Sequence, residues 1–361
     1  MTPGLPDPAF WRGKRVLLTG HTGFKGSWAA LWLAAMGAKV TGFALAPDQT
    51  PALFHLAGIE RALAGSVIAD IADRAALQRA VAAAQPDIVL HLAAQALVRR
   101  SLADPVATFA TNALGTVHLL EAVRMSPARP SAILVVTTDK VYANDEAGRA
   151  FAEDDRLGGK DPYSASKAAA ELVAVSYARS YFTPAGVALA TARGGNVIGG
   201  GDFSADRLVP DFIRAIEADR PLVLRHPAAT RPWQHVLDCL NGYFLYAEAL
   251  AKGASLPPAL NFGPDPSRPL SVGSVADRLY AAFGQASSWR HEPEPGSLEM
   301  QALAVDSARA RAKLGWCDRL PGENAVQWTA DWYAAHRAGR DMAAFTGNQI
   351  AAYAASEVDA S

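Results

Sequence analysis

A short apolar run, Arg15-Val16-Leu17-Leu18-Thr19, passes straight into glycines at positions 20, 23 and 26 and then into an Ala-, Leu- and Trp-rich stretch closed by Gly37. Few features restrict a chain more. A buried strand, a tight glycine turn and a helix from Ser27 to Met36 make the opening half of a parallel β-α-β unit. Gly20 permits the sharp turn, Gly23 lets the backbone approach a pyrophosphate and Gly26 lets the helix pack closely on the strand. The free N–H groups at the start of such a helix face an anion favourably. A dinucleotide is therefore the candidate ligand of this turn. Lys25 lies within it, either meeting a phosphate or solvated.

The strand–helix alternation continues. Residues 38–45 read as a second strand, ending at Pro47 and Asp48. An acidic residue that holds ribose hydroxyls usually closes this strand; here Asp48 comes late and after a proline, so NAD is favoured over NADP without the choice being closed. Residues 67–71 read as a third strand that delivers Asp70 and Ile71, with Asp70 or Asp73 capping the helix after it. Residues 86–94 form a fourth, and the small residues Ala93 and Ala94 at its end leave room for a cofactor. Asn112, polar within the helical run 105–124, reads as a structural bridge. The apolar run 132–136 suits a central parallel strand. It carries Thr137-Thr138-Asp139-Lys140 to its carboxyl end, where open α/β sheets place their ligands. A further strand, residues 186–192, leads into Arg193-Gly194-Gly195-Asn196. The pattern predicts an α/β fold with a doubly wound parallel sheet.

Near-neutral net charge (−1) argues against a dedicated nucleic-acid partner. Cys239 and Cys317 have neither disulfide-framework nor metal-ligand spacing, so no metal is expected and a reducing cytoplasm fits. No apolar run approaches the ~20 residues of a membrane span.

Tyr163 and Lys167 lie four residues apart in Asp161-Pro162-Tyr163-Ser164-Ala165-Ser166-Lys167, on one face of a helix reaching Tyr181. A lysine ammonium beside a tyrosine favours the phenolate, which then serves as a base.

With TGHTGFKG at Thr19 to Gly26, TTDKVYAN at Thr137 to Asn144 and YSASK at Tyr163 to Lys167, the chain resembles the extended short-chain dehydrogenase/reductase superfamily. Within it, the chain is similar to sugar-nucleotide 4,6-dehydratases of the CDP-glucose branch, through Lys25, His91 to Ser101, Lys140, ATRPWQHV (Ala229 to Val236) and Asp341 to Tyr353. The pattern changes beyond about Gly199, which predicts a Rossmann-type domain over residues 1–199 and a smaller substrate-binding lobe over 200–353 with some segments returning to the first domain, and the small, polar residues 354–361 read as a frayed tail. The resemblance implies NAD held by Gly20, His21, Gly23, Phe24, Lys25, Gly26, Asp70, Ile71, Leu92, Ala93, Ala94, Tyr163, Lys167 and Arg193. It implies a nucleotide-sugar substrate, CDP-glucose, held by Asn196, Arg231 and His235, and a homodimer formed through the helices carrying Asn112 and Tyr163. The implied catalytic residues are Tyr163, Lys167, Thr138, Asp139 and Lys140. Tyr163 takes the hydroxyl proton at sugar carbon 4, assisted by Lys167 and Thr138, and Asp139 protonates the hydroxyl leaving carbon 6. Related dehydratases use a glutamate where Lys140 stands. Lys140 acts either as a neutral base at carbon 5 or as a charged group stabilising the enolate. An epimerase or decarboxylase on the same scaffold, or a dinucleotide sensor without catalysis, are the alternatives. The adjacent Asp139 and Lys140 and the intact Tyr163–Lys167 pair speak against them.

Overall fold

The computed structural model describes residues 4–294, 300 and 302–356. Seven strands build the central sheet: β1 (Arg15–Thr19), β2 (Lys39–Ala44), β3 (Gly65–Ile68), β4 (Ile88–His91), β5 (Ala132–Thr138), β6 (Ala188–Gly194) and β7 (Ala259–Phe262). Their order is β7-β6-β5-β4-β1-β2-β3 and every pair is parallel. This is the doubly wound α/β sheet that the alternation predicts. The order reverses between β1 and β4, which are paired from Val16 with Ile88 to Thr19 with His91. Ligand crevices in such sheets open at the carboxyl ends flanking this reversal. β7 comes from the second half of the chain and completes one edge.

Pleating divides the core between the two faces of the sheet. Val16 and Leu18 of β1 join Trp28, Trp32, Phe244 and Tyr353 on one side. Leu17 joins Phe43, Leu77, Leu119 and Ile133 on the other. β5 is buried at all seven positions, as its apolar sequence requires.

The helix after the glycine turn runs Phe24–Ala35, three residues earlier than expected, because Gly23 is extended (φ −79°, ψ 170°) and already serves as its cap. β3, the edge strand, starts two residues earlier than expected and ends three earlier, at Ile68; Asp70 lies beyond it and accepts a hydrogen bond from the Ala72 N–H (2.9 Å). Asp73, not Asp70, caps the next helix through the Ala76 N–H. The helix Pro105–Phe109 continues through a π-helical turn, Ala110–Leu114, into Gly115–Met125. That turn presents Asn112, whose amide donates to the Gln95 carbonyl (3.0 Å) and the Ser166 hydroxyl (2.8 Å). The expected bridge is thus present. The final helix, Met342–Ala355, includes Ala354 and Ala355, which correspond to the start of the tail expected to fray. It is pinned by Tyr353, whose hydroxyl donates to Asp238 (2.7 Å). Ser356 caps the helix, and residues 357–361 of that tail lie outside the described residues.

Candidate active site

Asp161 begins the catalytic helix. Its carboxylate accepts from the Ser164 N–H (3.0 Å) and hydroxyl (2.6 Å), and Pro162 occupies the first turn where no N–H is needed. The helix Pro162–Tyr177 then sets Tyr163 and Lys167 one turn apart on the wall of a cavity of about 860 Å³. That volume falls in the range of about 300–1,000 Å³ usual for ligand sites. The Lys167 ammonium donates to the Val136 carbonyl at the end of β5 (2.7 Å). Burial, followed by the Lys25 ammonium, brings it down to about 8, while Glu171 opposes the shift. The Tyr163 phenol departs from expectation. Burial pushes it up to about 12, and a hydrogen bond with Thr138 only partly offsets this. Desolvation dominates, and the Lys167 ammonium is directed at a main-chain carbonyl.

The end of β5 turns sharply at residues 139–141. Thr138 donates to Asp139 Oδ1 (2.9 Å), and Lys140 Nζ donates to the same oxygen (3.1 Å) and to Asn196 Oδ1 (2.9 Å). Asp139 is fully buried, and its Oδ2 has no partner. An oxygen left so is costly unless a ligand supplies a donor. Thr138, Lys140 and Asn196 line the cavity beside Tyr163, whereas Asp139, expected among the catalytic residues, does not line it and meets the wall only through its bonds to Thr138 and Lys140.

The other half of the cavity fits a dinucleotide. Gly20 has φ +80°, and a side chain there would meet Ala93 N at 2.8 Å. At Gly26 a Cβ would lie 2.0 Å from the Gly20 carbonyl, so only glycine lets the helix approach the turn. At Gly23 a Cβ would have nothing closer than 3.5 Å and would fill the cavity itself. Gly20, Gly23, Phe24, Lys25, Gly26, Asp70, Ile71, Leu92, Ala93 and Ala94 all line this half. The helix start has no side-chain cap, which leaves its N–H groups to an anion. Asp48 lines the cavity but pairs with Arg100 across it (3.4 Å). Lys25 Nζ lies 5.6 Å from the Tyr243 ring centre.

Three expected ligands belong elsewhere. Arg193 is a buried structural cation, not a cofactor contact. Its guanidinium donates to both carboxylate oxygens of Glu171 (3.1 and 2.8 Å) and to the Tyr142 hydroxyl (2.9 Å). His235 is fully buried away from the cavity. It caps the helix Val236–Ala251 by accepting from the Leu237 N–H and lies edge-on to Trp28 and Trp328. His21 remains in the turn, but its ring leaves the cavity, packs on Gly42 and bonds the Ser66 hydroxyl (2.8 Å). Arg231, nine-tenths buried, does line the cavity. Sequence reasoning missed a charged wall. Arg99 pairs with Asp206 (3.6 Å) and with Glu294, and Arg225 pairs with Glu294 (3.4 Å), all lining the same cavity. These partners are widely separated in sequence and carry no periodic signal.

Sheet order, glycine turn and Tyr-Lys helix together define a dinucleotide-dependent enzyme of the extended short-chain dehydrogenase/reductase class. More narrowly, the GDP-mannose 4,6 dehydratase family model matches residues 17–254, and the chain belongs to that family. CDP-glucose 4,6-dehydratase of Salmonella typhimurium is 42% identical over 353 residues, covering 96% of this chain and 98% of its own. A dTDP-glucose 4,6-dehydratase of Xanthomonas campestris is 30% identical over 88% of this chain and 92% of its own. Among solved structures, the dTDP-glucose 4,6-dehydratase DesIV of Streptomyces venezuelae, in a complex with NAD, has a TM-score of 0.77 at 25% identity, covering 91% of this chain and 99% of that one. The NAD complex of Thermus thermophilus UDP-glucose 4-epimerase reaches 0.76 at 26% identity, covering 89% and 99%.

Proposed function

We propose that this protein is a CDP-glucose 4,6-dehydratase, forming CDP-4-dehydro-6-deoxyglucose and water. The observation that carries the reading is Lys140 on the cavity wall, bonded to Asp139 and Asn196 beside Tyr163. When bound, NAD would supply a reversible hydride acceptor for the sugar. Gly20, Gly23 and Gly26 would hold its pyrophosphate, with Asp70, Ile71 and Leu92 to Ala94 lining the same part of the cavity. Tyr163 would take the carbon 4 hydroxyl proton once the positive charge of bound NAD offsets the burial that pushes its phenol up, and Thr138 would bond the same oxygen.

The Asp139–Lys140 pair does the acid–base work. Its resting form is an ion pair with one proton to distribute. Moving that proton to Asp139 Oδ1, which the Lys140 ammonium contacts at 3.1 Å, leaves a neutral amine and a carboxylic acid. The amine then removes the carbon 5 proton, which the new ketone has acidified, and the acid protonates the departing carbon 6 hydroxyl. Both partners return to their starting charge, so the lysine replaces a glutamate base without loss of balance. Arg231 pairs with the diphosphate, for which its planar fork is suited.

Residues 1–199 form the cofactor domain, to which β7 returns, and 200–353 the substrate lobe. Val106, Phe109, Leu114, Leu172 and Tyr181 expose apolar surface on the two helices through Asn112 and Tyr163. A patch of this kind marks an association face, here that of a homodimer. Two cysteines, neither in a disulfide, suit the cytoplasm. No helix among the described residues is long and apolar enough to cross a membrane. The test is CDP-glucose carrying deuterium at carbon 4. Deuterium recovered in the carbon 6 methyl of the product supports the reading, and its loss to solvent or retention at carbon 4 rejects it.

A further inference from the structure

The charged wall of the cavity stands on a short parallel ladder that the reaction leaves unused. The strand Leu222–Leu224 pairs with Trp289–His291, Leu222 beside Trp289 and Leu224 beside His291. The pairing continues past both strands. The Glu292 N–H donates to the Leu224 carbonyl (3.0 Å), and His291 Nε2 donates to the Arg225 carbonyl (3.0 Å). The two chains therefore leave the ladder side by side, and there Arg225 Nε meets Glu294 Oε2 at 3.4 Å. Arg99, on the helix Val98–Ala103 from the first half of the chain, reaches the same Oε2. Among the described residues no donor meets Glu294 Oε1. Leu222, Leu224, Arg225 and Glu294 all line the cavity, and 41% of the Glu294 side chain is exposed there, enough for a ligand to reach it.

A carboxylate is out of place in a cavity that takes a diphosphate, because like charges repel. Neighbouring carboxylates on this wall are held within their own segments. Asp202 accepts from the Ser204 N–H and from Arg207 (both 3.0 Å), and Asp211 from Arg214 one turn further on (2.5 Å). Glu294 differs. A ladder carries it to the cavity, and two arginines offset its charge while meeting one oxygen of the two.

We infer that Glu294 Oε1 accepts a hydrogen bond from the exocyclic amino group of the substrate's cytosine, and so selects cytosine over uracil and thymine. The inference rests on the CDP-sugar reading and supplies a physical ground for the choice of base. Of the three pyrimidines, cytosine alone carries a donor at ring carbon 4, and a carboxylate is a natural acceptor for it. Uracil and thymine place a carbonyl oxygen at that position. The carboxylate then faces a second acceptor with no proton between them. A hydrogen bond to a charged group of this kind changes affinity by about 10- to 100-fold. Arg99 and Arg225 serve the same end. By meeting Oε2 they present Oε1 to the base, and by their charge they keep Glu294 from repelling the diphosphate at Arg231.

The experiment measures, by calorimetry on the NAD-loaded protein, the binding of CDP and of its analogue with hydrogen in place of the 4-amino group. Ribose and diphosphate are the same in both, so the comparison isolates that group. In wild type the analogue binds about tenfold or more weakly than CDP. In Glu294→Ala the two bind within about threefold of each other. In Glu294→Gln, UDP gains on CDP by about tenfold, because the amide N–H can donate to the carbonyl at carbon 4. Each ratio is taken on one preparation, so a loss of active protein does not imitate the result. Equal binding of CDP and analogue in wild type, or the same penalty in wild type and Glu294→Ala, overturns the inference and leaves Glu294 a partner of its arginines or of the ribose. Turnover separates that failure from failure of the reading beneath it. A wild type that converts CDP-glucose while its amino group goes unread rejects only the role of Glu294. Conversion of another nucleotide sugar in place of CDP-glucose rejects the CDP reading and this inference with it.

Discussion

Removing Glu171 tests the placement of Arg193 in the core. Glu171 and Arg193 expose only 1% and 5% of their side chains. The carboxylate accepts two N–H bonds from Arg193 (3.1 and 2.8 Å) and one hydroxyl bond each from Thr137 (2.5 Å) and Thr191 (2.7 Å). Glu171→Ala leaves a guanidinium in the core without its counter-charge, a loss of about 3–5 kcal/mol. Two threonine hydroxyls also lose an acceptor, adding roughly 1 kcal/mol. The expected destabilisation is about 4–6 kcal/mol, a large part of the ~5–15 kcal/mol typical of folded proteins. Glu171→Met combined with Arg193→Met removes both charges and refills the space. It is expected to lie within about 2 kcal/mol of wild type, since apolar replacement of a buried pair is often neutral. Urea unfolding of the ligand-free protein measures both variants, and titration with NAD on the double variant is expected to stay within about threefold of wild type. A Glu171→Ala loss below about 1 kcal/mol, or a double variant less stable than the single, refutes the buried-pair reasoning. A collapse of NAD affinity in a stable double variant restores Arg193 to the cofactor site.

Gly23→Ala is expected to leave stability within about 0.5 kcal/mol but to weaken NAD by about tenfold or more, because the new methyl enters the cavity; unchanged affinity in calorimetry contradicts the cradle. Gly26→Ala, whose Cβ would lie 2.0 Å from the Gly20 carbonyl, is expected to disrupt the turn and abolish binding altogether. Lys140→Met is expected to retain nicotinamide reduction and lose water elimination, and stopped-flow absorbance with product analysis separates the two; unimpaired dehydration would falsify the base assignment. Burial holds the His235 imidazole neutral, down to about 3 from an ordinary value of 6.5. A depressed folded value means its contribution is complete above ~6.5 and is lost progressively as pH falls toward ~3. Between pH ~7 and pH ~5 wild type therefore loses about 2 kcal/mol through this group. His235→Asn, which keeps a capping side chain, should lose about that much less over the same interval, as read by urea midpoints at the two pH values.

The parts of the site that depend on one short segment were legible in the sequence. Gly20, Gly23 and Gly26 answer to main-chain geometry, Tyr163 and Lys167 to the helical repeat, and β5 to an unbroken apolar run. What escaped depends on contacts between distant segments. Arg193 adjoins Gly194, Gly195 and Asn196, which line the cavity, and looks like a ligand until Glu171, on another element, claims it. His235 follows Arg231 and Trp233, which line the cavity, yet its ring turns inward to cap a helix. The Tyr163 phenol could not be read from its spacing to Lys167, because burial, which raises it, is set by segments distant in sequence. The bond between Lys140 and Asn196, like the Arg99–Glu294 pair, joins residues whose separation no local pattern encodes.

The central claim is tested most directly by incubating the protein with NAD and, in parallel, CDP-, dTDP-, UDP- and GDP-linked hexoses, reading the alkaline absorbance of a 4-keto-6-deoxy sugar. Product from CDP-glucose alone is the predicted result. Product from another nucleotide sugar would keep the dehydratase chemistry and reject the cytidine assignment. No product from any of them, with NAD bound, would contradict the dehydratase account itself.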